Sequence, residues 1–229
     1  MPELSRDRGV VLRTLDHAET DRIAVLLTPR GRLDVLAKGA RRIERSSGAS
    51  LDPLHVVEAV YYRRRGLHLL KEAGVVQTFP RVRGDLERAT AALKALAWAA
   101  ELVPRDQPDD RPYRLTLELL GALEEGLAPG VFAVAYTLRL LAVLGHAPHL
   151  GGCVRCGKGQ DLTWSPERGG LLCRGCGGQG ELLSPRLVKV LDALARLPVP
   201  ALARLRLAEE DLNQGMALLA EFRDAQVGR

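Results

Sequence analysis

Aromatic residues are scarce. Phe, Trp and Tyr make up 4% of the 229 residues, so the core has to be built from Leu, Val and Ala. Long apolar runs are missing too. The longest, Val131 to Leu144, is broken by Thr137 and Arg139; it is too short to span a bilayer and reads as a buried helix. No membrane association is expected. The opening MPELSRDRGVV carries acidic residues and no apolar segment, unlike a secretory signal, and the cytoplasm is the expected location. Lysine is rare: five against 28 arginines, a usage that reflects a GC-rich genome before it reflects chemistry. Catalytic signatures are missing as well. There is no GxxxxGK[ST], no GxGxxG after a strand and no GxSxG elbow. The acid pairs Asp109–Asp110 and Glu124–Glu125 read as solvated charge, and His17, His55 and His68 stand isolated. The expectation is a protein that is not an enzyme and takes no small-molecule substrate.

What is present is an ordinary globular mixture, 46% hydrophobic and 27% charged, with an uneven charge. Residues 1–83 hold 16 Lys and Arg against 10 Asp and Glu, an excess of six; residues 84–229 hold 17 against 18. The whole basic excess sits in the first third. A basic module on a neutral body fits a polyanionic partner, nucleic acid being the commonest.

That first third alternates with the period of strands. Val11 and Leu15 share one parity, as do Ile23, Val25 and Leu27, and Leu33, Val35 and Ala37. Thr28–Arg32 is a turn, with Pro29 and Gly31. The run from Leu54 to Arg65 turns at Gly66 into LHLLKEAGVV. Five short strands without an intervening helix predict a small closed barrel, and the five-stranded OB barrel has the right count and length. The remainder reads as helices. Asp85 caps one whose apolar positions run from Leu86 to Val103, and Pro104 stops it. RDQPDDRP is a polar link. Leu115, Leu119 and Leu123 mark a second helix, Gly130 to His146 a central one, and Pro185–Leu197 and Ala208–Asp224 two more. The fold class is therefore α+β in two domains: 1–81, a five-stranded barrel, and 82–229, mostly α-helical with a cysteine-bearing insertion at about 149–182.

All four cysteines fall in that insertion, as Cys153-x2-Cys156 and Cys173-x2-Cys176. Two residues between thiolates let one tight turn aim both sulfurs at a single ion, and this double spacing is that of a structural zinc site. A redox dithiol, a disulfide pair or a site that has lost its metal are the alternatives. Four thiolates close the coordination shell, so one structural Zn2+ per chain is expected. His146 and His149 precede the first pair and could compete as ligands; His149 reads better as the end of the preceding helix.

Two basic clusters stand out. KGARRIER carries Lys38, Arg41, Arg42 and Arg45 against Glu44. Arg63, Arg64 and Arg65 directly follow Tyr61 and Tyr62, and a tyrosine beside arginines could stack an exposed base. The alternative is that one or both tyrosines are core, since strand neighbours face opposite ways.

The order of these features resembles the RecO family of bacterial DNA-repair proteins. GVVLRT, IAVLLT, KGARR at Lys38–Arg42, the Leu-rich helical remainder, and GGCVRCG with CRGCG carry the likeness over nearly the whole chain. The resemblance implies an N-terminal OB-fold and a helical domain bearing a zinc finger. It implies a recombination mediator, nucleoid-associated during repair, that binds single- and double-stranded DNA without sequence specificity and anneals complementary strands. With the partner RecR it would help load RecA onto DNA coated by single-stranded-DNA-binding protein. The residues add a DNA surface: Arg30, Arg32, Lys38, Arg41, Arg42, Arg45, Arg63, Arg64 and Arg65. Rival readings are an adaptor acting through protein contacts of its helical domain, and a zinc-containing nucleic-acid-modifying enzyme.

Overall fold

The computed structural model describes residues 3–40 and 50–227. Five strands close a barrel in the order β1–β2–β3–β5–β4: β1 Leu4–His17, β2 Asp21–Thr28, β3 Gly31–Ala37, β4 Val56–Tyr62 and β5 His68–Gln77. Closure depends on the long first strand. Its first half pairs with β4 (Leu4↔Tyr62 to Val10↔Val56) and its second half with β2 (Val10↔Leu27 to His17↔Asp21). A bulge between Val11 and Arg13 bends it between the two partners. All ladders are antiparallel except β3 with β5, which meet in parallel only at Val35↔His68 and Leu36↔Leu69. This order is that of the OB-fold.

The barrel interior is filled by Val11, Ala24, Leu26, Leu33, Val35, Ala37, Val57, Ala59 and Tyr61. In β2 the inward set is thus Ala24 and Leu26. Val25 and Leu27, on the other parity, are buried too, because helices α2 (Leu86–Leu102) and α3 (Arg111–Glu124) pack on the outside of β1 and β2. A strand covered on both faces loses its alternation. Asp85 caps α2 through a hydrogen bond from the Arg88 N–H at 2.9 Å.

Two acids read from sequence as solvated do structural work. Glu124 accepts the backbone N–H groups of Arg81 and Val82, each at 2.9 Å, at the start of α1 (Pro80–Gly84). Asp109 accepts the Arg111 N–H at 3.0 Å and its guanidinium at 2.8 Å, which holds its carboxyl below the usual range.

The chain divides by contact into Met1–Glu124 and Glu125–Arg229, so α1 to α3 group with the barrel. The reason lies in the link 103–107, which returns to the barrel. Arg32 donates its N–H to the Pro104 carbonyl at 3.2 Å, and Asp106 donates to the Arg32 carbonyl at 3.0 Å. Gly31, at φ 88°, lets the link pass: a Cβ there would meet the Gln107 oxygen at 2.2 Å.

The second unit packs α4 (Pro129–Val143) against α5 (Pro185–Arg196) and α7 (Glu209–Val227), with the short α6 (Val199–Leu202) between. Its core includes Phe132, Tyr136, Leu140, Leu187, Leu191, Leu194, Leu219 and Phe222; each such side chain contributes about 1.5–3 kcal/mol by leaving water. α4 is apolar nearly all round, and its one charged side chain has a specific task. The Arg139 guanidinium donates to the Leu194 carbonyl at 3.0 Å and to that of Leu197, satisfying the open end of α5. Between α4 and α5 a two-stranded hairpin, β6 (Leu162–Ser165) and β7 (Gly170–Cys173), carries the cysteines. His149 lies beyond the end of α4 and does not cap it. Its backbone bridges the hairpin instead, accepting from Leu171 at 3.1 Å and donating to Gly169 at 2.9 Å.

Candidate nucleic-acid interface and metal centre

Strand direction decides which barrel cations share an end. β1, β3 and β5 run one way and β2 and β4 the other. The β2–β3 turn (Thr28–Gly31) and the β4–β5 loop (residues 63–67) therefore lie at one rim. The β1–β2 loop and the segment after β3 lie at the other. Seven residues of β3 at about 3.3 Å each put the rims ~20 Å apart. Arg30 and Arg63–Arg65 share the first rim. Lys38, exposed, sits at the second. Arg41, Arg42 and Arg45 lie outside the described residues.

The first rim rests on a polar framework. Tyr61, 1% exposed, fills the barrel and donates its hydroxyl to Asp7 Oδ2 at 2.6 Å. It is core, so of the two tyrosines only Tyr62 keeps part of its surface. Burial and the Asp7 carboxylate push the Tyr61 hydroxyl up to about 12. The other Asp7 oxygen faces Arg30 Nε at 3.4 Å, and Tyr61 raises the Arg63 guanidinium above its ordinary value. His68 is buried rather than isolated. Its Nδ1 accepts the Arg64 N–H at 3.1 Å, so its Nε2 carries the proton toward Asp106 Oδ1, also at 3.1 Å. The loop backbone is thus tied down while the Arg63, Arg64 and Arg65 side chains stand exposed. Among the described residues neither Arg64 nor Arg65 has a carboxylate within ion-pair distance.

Arg32 belongs to a different set. Its side chain is 18% exposed; it pairs with Asp34 at 3.1 Å and donates to the Ala100 carbonyl. Arg105 meets the other Asp34 oxygen. Arg32 therefore joins strand, link and helix. No local signal marks this set: Asp34 and Arg105 are 71 residues apart, and the link reads only as polar.

The four cysteine sulfurs all lie within 4.8 Å of one another. Cys156 and Cys173 Sγ are 3.7 Å apart, which matches the edge of a tetrahedron with metal–sulfur bonds of about 2.3 Å. No disulfide joins them. Each pair sits on a turn: Gly157 donates to the Cys153 carbonyl at 2.9 Å, and Gly178 to that of Cys173 at 3.1 Å. Gly157 and Gly177 adopt φ 74° and 95°, a left-handed conformation that suits glycine. Backbone N–H groups pointing at Cys153 lower its thiol to about 6, and the neighbouring sulfurs raise Cys176 to about 12. Four sulfur donors this close together are suited to a metal ion. Neither histidine is in it.

Comparison with known proteins covers both ends of the chain. The family model described as recombination protein O, N terminal, matches residues 1–79, and that described as recombination protein O, C terminal, matches 83–229. The DNA repair protein RecO of Rubrobacter xylanophilus is 34% identical over 220 residues, covering 92% of this chain and 88% of its own. That of Anaeromyxobacter sp. (strain K) is 35% identical over 230 residues, with 96% and 91% covered. That of Roseiflexus sp. is 31% identical over 225 residues, with 95% and 79% covered.

Proposed function

We propose that this chain, which belongs to the RecO family of DNA repair proteins, binds single- and double-stranded DNA without sequence preference and anneals complementary strands. With RecR it helps load RecA onto DNA coated by single-stranded-DNA-binding protein, acting in the cytoplasm at the nucleoid. No covalent step is assigned to it. Among the described residues no helix is long and apolar enough to cross a membrane.

The observation that carries the reading is the arginine rim. Arg63, Arg64 and Arg65 are exposed on a loop whose backbone is fixed by His68, with Arg30 on the same rim. Guanidinium groups there reach phosphates without being buried, and each phosphate neutralised releases counterions. Spread cations also screen the repulsion between two backbones while leaving base edges free to pair, which is what annealing requires. Lys38 with Arg41, Arg42 and Arg45 forms a second basic segment of the proposed surface. Arg32, paired with Asp34, is left out of the surface proposed here. The metal is zinc, one per chain, held by Cys153, Cys156, Cys173 and Cys176. When bound it locks the two cysteine turns together; a closed shell of four sulfurs leaves no position for a reacting water.

The test is binding to labelled single-stranded and duplex oligonucleotides across a salt series, with annealing followed on addition of the complement. Binding that falls steeply with salt, with faster annealing, supports the reading. No binding at low salt removes it.

A further inference from the structure

The helical unit carries a cleft of about 460 Å3 beside the finger, lined by Arg155, Trp164, Arg168, Cys176 and Gln179 among others. That volume lies in the range of sites that enclose a small ligand. We propose that it holds one unpaired nucleotide of a single strand, the base against Trp164 and the flanking phosphates between Arg155 and Arg168. The inference rests on the DNA-binding reading above and adds a second contact on the other unit.

Trp164 is prepositioned. Its indole N–H donates to the Leu218 carbonyl at 3.1 Å, and its ring lies 5.7 Å from that of Phe222. The hydrogen bond is satisfied and the orientation fixed, while part of the ring still faces the cleft. Stacking on a rigid aromatic loses little freedom and accepts any base. The two arginines flank it from different elements. Arg155 lies between the first two cysteines and is steadied by the Cys176 carbonyl at 3.3 Å. Arg168 lies on the turn between β6 and β7, which is anchored by the Gln226 amide on the Pro166 carbonyl at 2.8 Å. Among the described residues Arg168 has no ion-pair partner. Glu167 is the one acid in the lining, so the cleft favours an anion. A duplex cannot fill it, because its base faces are already stacked on each other. An acidic peptide would satisfy the arginines but has no need of the flat ring.

The full-length protein tests this directly. It has two tryptophans, Trp98 and Trp164, so Trp98→Phe leaves Trp164 as the only indole reporter. Titration with oligothymidylate should quench its emission to saturation, reversibly with salt. In the unmodified background, R155E/R168E should bind a single strand at least about fivefold more weakly, through the loss of two phosphate contacts. Its duplex binding and melting temperature should be unchanged. The proposal is overturned if oligothymidylate is retained on a gel while Trp164 emission stays constant. It is also overturned if the double variant binds single strands like the parent, or if polyglutamate quenches as strongly as the oligonucleotide. If the parent retains neither single strand nor duplex, the DNA-binding reading itself falls.

Discussion

The backbone N–H of Arg64 donates to Nδ1 of His68 at 3.1 Å. That hydrogen bond joins the arginine loop to a buried imidazole whose other nitrogen reaches Asp106. The rim is therefore built from outside the barrel as well as within it, since Asp106 comes from the link after α2. His68→Ala should cost about 1–3 kcal/mol, because Arg64 and Asp106 lose a partner. The local consequence is more telling. Hydrogen exchange at the Arg64 amide should accelerate more than at β1 or β2 amides, and DNA affinity should fall although no charge has been removed. Unchanged exchange at Arg64 would show that the loop is held by something else.

Arg32 and the Arg63–Arg65 triplet separate cleanly in their expected effects. Asp34→Ala leaves two guanidinium groups without their carboxylate, one of them mostly buried, and should destabilise by about 3–5 kcal/mol in denaturant. Arg32→Ala should likewise lower stability while leaving the salt slope of DNA binding as it is. Replacing Arg63, Arg64 and Arg65 by Ala should do the reverse. Three lost phosphate contacts flatten the slope on single strands by about two, at ~0.7 per contact, with the melting temperature held. An Arg32→Ala variant that flattened the slope would place that side chain on the DNA after all.

The barrel was legible in the sequence because β strands with one buried face announce themselves by parity, and five of them with turns between leave few architectures. The cysteine cluster was legible because metal geometry constrains spacing within a few residues. Legibility failed where the contact was distant. Nothing near Asp34 announces Arg105 and nothing near His68 announces Asp106; the polar link gives no sign that it supplies one partner to each pair. It failed again in β2, where helices cover the outer face and both parities are apolar. Trp164 with Arg155 and Arg168 was missed for a related reason: three residues on three different segments converge only once the hairpin has folded.

Metal removal should act on the second unit first. Stripping the ion with a chelator, or Cys153→Ser with Cys173→Ser, removes the link between the two cysteine turns. The hairpin core of Leu162, Leu171 and Leu172 packs directly on those cysteines, so the melting temperature should fall, and all four thiols of the chelated protein, or the two left in the double variant, should become reactive toward Ellman's reagent. Single-strand affinity should drop no further than in R155E/R168E, since the arginine rim lies on the barrel. A larger loss would mean that the finger, and not the barrel, is the main DNA contact.

Tyr61 offers a pH test of the barrel interior. Its hydroxyl is held up to about 12 by burial and by Asp7, against an ordinary value of 10.0. The folded chain keeps this proton where the unfolded chain has lost it. The resulting stability is fully present below pH 10 and is lost as pH rises from 10 to 12. Absorbance at 295 nm should therefore show Tyr61 ionising late, together with the loss of structure, beside Tyr113, whose burial also raises its hydroxyl. Tyr61→Phe should remove that late step and leave the others. It also takes a donor from Asp7, which keeps Arg30 as its remaining partner, so the variant should lose about 0.5–1.5 kcal/mol at neutral pH. A late step of undiminished amplitude in the variant would assign it to another tyrosine and loosen the case for Tyr61 as the anchor of the rim.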